Sequence, residues 1–393
     1  MIQRFSIFLM AAMCMATLPV WAQQPCPTFE VTVNSAEDQL VLAINGADKP
    51  EDQLAALDTF VKDHPDSKFM PCVNEYYASV NVKLKDYDKA IEYGEKDLTA
   101  NYQDLNLLFS LMRAYASSTQ VSDTFFDVID NRVPAQAKVE TASPQRPSKA
   151  TDEEWAKIQK ESQDLAKDSH DYAVWAFFQV APRVTDPAKQ IQVLDAFIKA
   201  YPDEEKNHEL QLDTMYFADY QKMGNLEKTV EYGDKVIAAD PNNVAALNTL
   251  GLIYAFYAHP ASVDKGAAYA QKALAAAQAL KKPEGMDDAA FKKGQATQIG
   301  MANLTLGYTA LIRAEKSGKL IPAINELKLA STLLEGNPAL QGQALYFLAY
   351  AYERGYPPNH RGAMEALEKA VTLPGPMQGQ ARDLLAKVRA AVK

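Results

Sequence analysis

Apolar residues along most of the chain recur three and four positions apart, the period of one face of an α-helix. In 51–63 (EDQLAALDTFVKD), Leu54, Leu57, Phe60 and Val61 share a face, and His64-Pro65-Asp66 ends the run. The clearest stretch is 210–254, LQLDTMYFADYQKMGNLEKTVEYGDKVIAADPNNVAALNTLGLIY. One helical run ends near Met223, and Gly224-Asn225 makes a turn. A second run ends at Asp240, and Pro241-Asn242-Asn243 closes the unit before the pattern restarts. This is a helix hairpin of about 34 residues, a period typical of helical solenoids.

The same reading extends in both directions. A short helix over 37–44 stops at Asn45-Gly46, a hairpin over 70–101 turns at Lys85-Asp86, and 105–116 opens a third unit. The pattern then weakens. Residues 134–150 hold Pro134, Pro144 and Pro147 with few large apolar residues, which predicts an exposed linker or loop. Thr151 with Glu154 three positions later is a capping box that restarts the helix, and 172–180 (YAVWAFFQV) predicts a fully buried one. Beyond Pro241 the expected pairs are 244–258 with 263–280, 289–316 with 320–334, and 339–354 with 361–373. Residues 377–392 form a last helix, whose polar outer face suits the cap that a stack of repeats requires.

The chain also repeats itself. Gln53–Lys62 followed by Pro65-Asp66 aligns with Gln190–Lys199 followed by Pro202-Asp203. Glu92-Tyr93-Gly94 aligns with Glu231-Tyr232-Gly233, and Tyr115-Ala116 with Tyr254-Ala255. Three segments held near one offset imply two halves built on one helical plan. The expected layout is a targeting segment over 1–22, degenerate repeats over 23–133, the linker over 134–150, and a regular array over 151–393.

These units resemble the tetratricopeptide repeat. Tyr216, Phe217 and Tyr220 on a first helix, Thr229 and Val236 on a second, and Pro241 at the close carry the likeness. Leu250-Gly251 with Tyr254, Ala273, Leu306-Gly307 with Ala323 and Ala330, and Leu348-Ala349 with Tyr352, Ala363 and Ala370 extend it. A weaker copy holds Tyr77-Ala78, Ala90 and Asp97. Small residues are needed where the two helices of a hairpin cross closely. The resemblance implies an all-α fold, a right-handed α-solenoid of about seven to eight hairpins plus a capping helix, with a concave groove. It also implies that first-helix residues line that groove: Asn248, Leu252, Phe256, Tyr308, Gln343, Tyr346, Tyr350, Glu353 and Arg354. Aromatic rings there suit a protein or peptide partner, since they bury large area at low entropic cost. The opposite reading is that Tyr346 and Tyr350 simply pack between hairpins. Thr214 and Ala218 stand where some members of the family place a carboxylate clamp, so that mode is not implied.

Composition narrows the partners. The 393 residues are 48% apolar and 23% charged, with formal net charge −10. An acidic chain disfavours nucleic acid and anionic membrane as partners. Arg4, the apolar stretch 5–20 and the small residues of Val20-Trp21-Ala22 match a secretory signal peptide cleaved before Gln23, with a retained anchor as the competing reading. No later stretch is apolar enough to span a bilayer, so the expected setting is the bacterial periplasm or cell envelope. Loss of Cys14 with the signal leaves Cys26 and Cys72. A bridge between them would close about 45 residues and contribute roughly 4 kcal/mol, and two separate thiols are the alternative. There is no phosphate loop, nucleophile elbow or His-Glu-x-x-His motif, and the five histidines are scattered. No cofactor or metal is expected. The reading is a non-catalytic scaffold for protein contacts, against a carrier of a small ligand or glycan, or an enzyme with its site in 120–189.

Overall fold

A computed structural model describes residues 34–392 except 68, 101–103, 143–145, 147–149, 258–261 and 318. The expected signal peptide and Cys26 lie outside the described residues. Among the described residues there are helices and no strands, so the fold is all-α. The helices form two compact units, one of residues up to Thr185 with Asp195–Pro202, the other of Asp186–Leu194 with Asp203–Lys393. The chain therefore divides near residue 185 rather than across 134–150.

In the first unit, α1 (Ala36–Gly46), α2 (Pro50–Asp63), α3 (Val73–Leu84), α4 (Tyr87–Thr99) and α5 (Leu105–Ser117) pack in succession. Buried Leu40, Leu57, Phe60, Cys72 and Tyr77 form the core at the α1–α3 end. Cys72 is disulfide-bonded, and its partner lies outside the described residues. After α5 come a short α6 (Asp123–Asp127), a π-helical turn over Val128–Arg132, and α7 (Val133–Ala142). Thus the first half of the expected linker is helix. Its Pro134 follows directly on the π turn, with no break in the helical run, and α7 packs on α8. The Tyr201 hydroxyl donates to the Ile129 carbonyl inside the π turn (2.7 Å). Such turns loosen the regular backbone ladder.

The expected separate helices at 151–165 and 172–180 are one helix, α8 (Asp152–Val180). Thr151 and Glu154 make the reciprocal capping box at its start. Its C-terminal part carries Phe177, which stacks on Phe197 of α9 (Pro187–Ala200) at 4.0 Å. The 172–180 segment is not fully buried, because Trp175 is 49% exposed. Arg183 closes the unit from the far side, donating to the Ser118 and Ala116 carbonyls (2.6 and 2.9 Å) at the end of α5.

After the short α10 (Pro202–Asn207), the second unit runs through α11 (Glu209–Lys222), α12 (Leu226–Ala239), α13 (Val244–Phe256), α14 (Val263–Ala279) and α15 (Asp288–Ser317). It ends with α16 (Ile321–Leu333), α17 (Pro338–Glu353), α18 (His360–Ala370) and α19 (Gln378–Ala391). Each helix packs on the next from α11 onward. The first helices of successive hairpins also touch, α13 with α15, α15 with α17, and α17 with α19. Second-helix Ala273, Ala323, Ala330, Ala363 and Ala370 are buried at the crossings, as close approach requires.

The duplication is visible side chain by side chain, at an offset of 139 positions. Lys85 and Gly224 occupy the two hairpin turns with left-handed φ of 62° and 71°. Asp86 and Asn225 cap the following helices. Tyr77 stacks on Tyr93 at 4.6 Å beneath the Lys96 ammonium, and Tyr216 on Tyr232 at 4.8 Å beneath Lys235. Gly94 and Gly233 are pressed by Leu111 and Leu250, so closely that a Cβ would sit 2.5 and 2.9 Å from a leucine methyl.

Candidate functional site

The residues implied as groove lining lie on α13, α15 and α17 of the second unit. Contact between consecutive first helices brings several of them together. The Phe256 ring stacks on Tyr308 at 4.0 Å, and both meet Phe347, at 5.5 and 4.8 Å. Tyr346 stands edge-on to Phe347 at 5.2 Å. Phe256, Tyr308 and Tyr346 remain half-buried, and Leu252 packs beside them. A row of rings spanning three helices, with one side still open, can take up flat or extended apolar groups.

Phe347 is the member that sequence reasoning omitted. It lies in 344–352 (ALYFLAYAY), where every side chain is apolar or aromatic. Without alternation, periodicity cannot say which side of the helix points where. The one usable signal is that Phe347 precedes Tyr350 by three positions, about one turn.

Tyr350 and Arg354 form a second feature at the end of α17. The guanidinium carbon lies 4.9 Å from the Tyr350 ring centroid, and Arg354 Nε donates to the Tyr350 hydroxyl at 3.1 Å. Arg354 is exposed and Tyr350 half-buried. The pair presents a flat, cationic surface next to the aromatic row. Burial, then the neighbouring Tyr350, pushes the Tyr346 hydroxyl above its ordinary pKa, so this phenol stays neutral.

Three other expected positions serve the fold instead. Asn248 is 1% exposed, and its amide donates to the backbone carbonyl and side-chain oxygen of Gln298 (3.0 and 2.8 Å), tying α13 to α15. Gln343 is buried as well. Asn248 thus lies in the seam between two first helices, and neither side chain is open to a partner. Both Glu353 oxygens lie 3.0 Å from His360 Nδ1 at the start of α18, which holds the α17–α18 hairpin.

Among the described residues no three His, Cys, Asp or Glu side chains come together as metal ligands. None of the described helices is long and apolar enough to cross a membrane. No protein-family model and no curated protein matches the chain. Among solved structures, the chain is similar to the TPR domain of P58(IPK) at 14% identity, over 91% of this chain and 98% of that one. The TM-score of that match is 0.29, too low to add to the architecture described above.

Proposed function

We propose that the protein is a non-enzymatic scaffold that binds a protein or extended peptide along the first helices of its second unit. The observation that carries this reading is the half-open aromatic row Phe256–Tyr308–Phe347–Tyr346, flanked by half-buried Tyr350 with the exposed Arg354 over it. Large rings at the centre of a contact surface supply most of the energy of typical interfaces, with arginine beside them. Such a row would read apolar or aromatic side chains of the partner, and Arg354 an acidic one or a backbone carbonyl. The apolar stretch after Arg4 and the Val20-Trp21-Ala22 end support export, so we place the scaffold in the periplasm or cell envelope.

The test is site-specific photo-crosslinking in cells. A photoreactive side chain at position 350 should yield a discrete adduct, and Phe256→Ala with Tyr346→Ala should weaken binding by about thirtyfold or more, the loss for even one hot-spot ring of about 2 kcal/mol. Leu329 on second helix α16 is 46% exposed and serves as the control position. Equal adducts at 329 and 350, or adducts untouched by the ring deletions, would remove the groove reading.

A further inference from the structure

The first unit buries a carboxylate that its fold does not need. Asp97 on α4 is 1% exposed, and neither of its oxygens has a hydrogen-bond partner. The Asn74 amide and the Glu75 backbone N–H lie close enough to favour its charged form, yet neither reaches hydrogen-bonding geometry. The equivalent position in the second unit, 139 residues later, is Val236, also 1% exposed. The shared hairpin plan therefore accepts an ordinary apolar residue here. Burying a bare carboxylate instead costs several kcal/mol unless a proton or a cation meets it.

Three more carboxylates belong to the same cluster. Glu75 on α3 feels Asp104, Asp97 and Glu140 as its charged neighbours. Asp104 caps α5 through the Leu107 N–H (2.9 Å), and Glu140 of α7 accepts from the Leu105 N–H at 3.0 Å, so both sit at the start of α5. Glu75, Asp104 and Glu140 are half-buried, so the cluster is more open at these three than at Asp97. No lysine, arginine or histidine among the described residues is paired with any of the four. The half-buried Tyr76 hydroxyl feels Glu75 and Asp104 as charged neighbours, so a tyrosine stands beside the carboxylates. In the second unit the matching positions of Glu75, Asp97 and Asp104 are Thr214, Val236 and Asn243, all uncharged. The acidity thus belongs to this copy of the hairpin and not to the plan.

We propose that the mouth formed by Glu75, Asp97, Asp104 and Glu140 binds an organic cation, an alkylammonium or guanidinium group. The carrier is either a basic side chain of a bound polypeptide or a free amine. Guanidinium is weakly hydrated, flat and multidentate, and it stacks on aromatic rings, which suits a partly buried acidic mouth with a tyrosine beside it. The described carboxylates do not converge in threes at metal-ligand spacing, which disfavours a hard divalent ion. The site lies in the other unit from the aromatic row, so it stands or falls apart from the scaffold reading.

Isothermal titration of the full chain with agmatine, with acetyl-Gly-Arg-Gly-amide and with calcium chloride tests it. Saturable binding of agmatine or the arginine peptide is expected, and the stronger of the two identifies the carrier. Asp97→Val should weaken that binding by about thirtyfold or more, the loss for deleting one partner of a buried charge pair. It should leave thermal stability no lower, since the other unit carries valine there. Asp97→Asn, which keeps the shape, should lose binding as well, and Tyr350→Ala should not. Absence of binding by both organic cations, retention in both Asp97 variants, or calcium binding lost in those variants without organic-cation binding would overturn the assignment.

Discussion

Gly266 is the sharpest test of how tightly the hairpins close. It lies on α14 where α14 crosses α13, and a Cβ built there would sit 2.8 Å from the Ala255 backbone nitrogen and 2.9 Å from the Gly251 carbonyl oxygen. Real Cβ contacts do not approach that closely, and both obstacles are backbone, so no rotamer change relieves them. Gly266→Ala must part the two helices. Alanine in a helix interior gains about 1 kcal/mol over glycine. Overpacking a tight core typically costs 1–3 kcal/mol, and a backbone obstacle belongs at the upper end, about 3 kcal/mol. The expected net loss is about 2 kcal/mol in the unfolding transition of the second unit. Gly294→Ala is the internal control. That residue is exposed on α15 with nothing within 4 Å of its built Cβ, so the substitution should stabilise by about 1 kcal/mol. Urea denaturation followed by far-ultraviolet circular dichroism reads both. A Gly266→Ala protein at least as stable as the wild type, beside a normal Gly294→Ala response, would refute the close crossing.

Two further outcomes concern the first unit. Lys85 holds a left-handed φ of 62° in the turn where the second unit uses Gly224, so Lys85→Gly should stabilise the unit by about 1 kcal/mol, measured by denaturant midpoint. Burial and neighbouring carboxylates raise Glu75 from an ordinary 4.5 to about 8, and burial raises Asp97 from 3.8 to about 6. The folded state then binds these protons more tightly than the unfolded chain. Their contribution is present at low pH and lost as pH rises through about 6 and about 8. Stability should decline between pH 6 and 8.5, and Glu75→Gln should flatten that decline; an unchanged slope in the variant would contradict the placement of Glu75.

The hairpins themselves were legible because a helix that cannot bury its apolar face alone must advertise that face at regular spacing. The turns at Lys85-Asp86 and Gly224-Asn225, the Thr151–Glu154 box and the alanines at the crossings all follow from local chemistry. The candidate site was legible only in part. Phe256, Tyr308 and Tyr346 come together through Phe347, while Asn248 is held against the neighbouring first helix and Gln343 is buried. That burial depends on how far one hairpin rotates against the next, which no single helix encodes. The segment read as linker differs for a related reason: Pro134 ordinarily breaks a helix, and here it follows a π turn whose Ile129 carbonyl takes the Tyr201 hydroxyl from a distant part of the chain.

What the sequence determines by itself, then, is the period, the hairpin and the duplicated plan, because these rest on spacings within a few turns of helix. Which side chains of an all-apolar run such as 344–352 face a neighbour, and that Asp97 stands bare where Val236 fills the same place, were decided by tertiary packing. Burial and charge pairing are sums over residues distant in the chain, and they acquire values only when the helices have met.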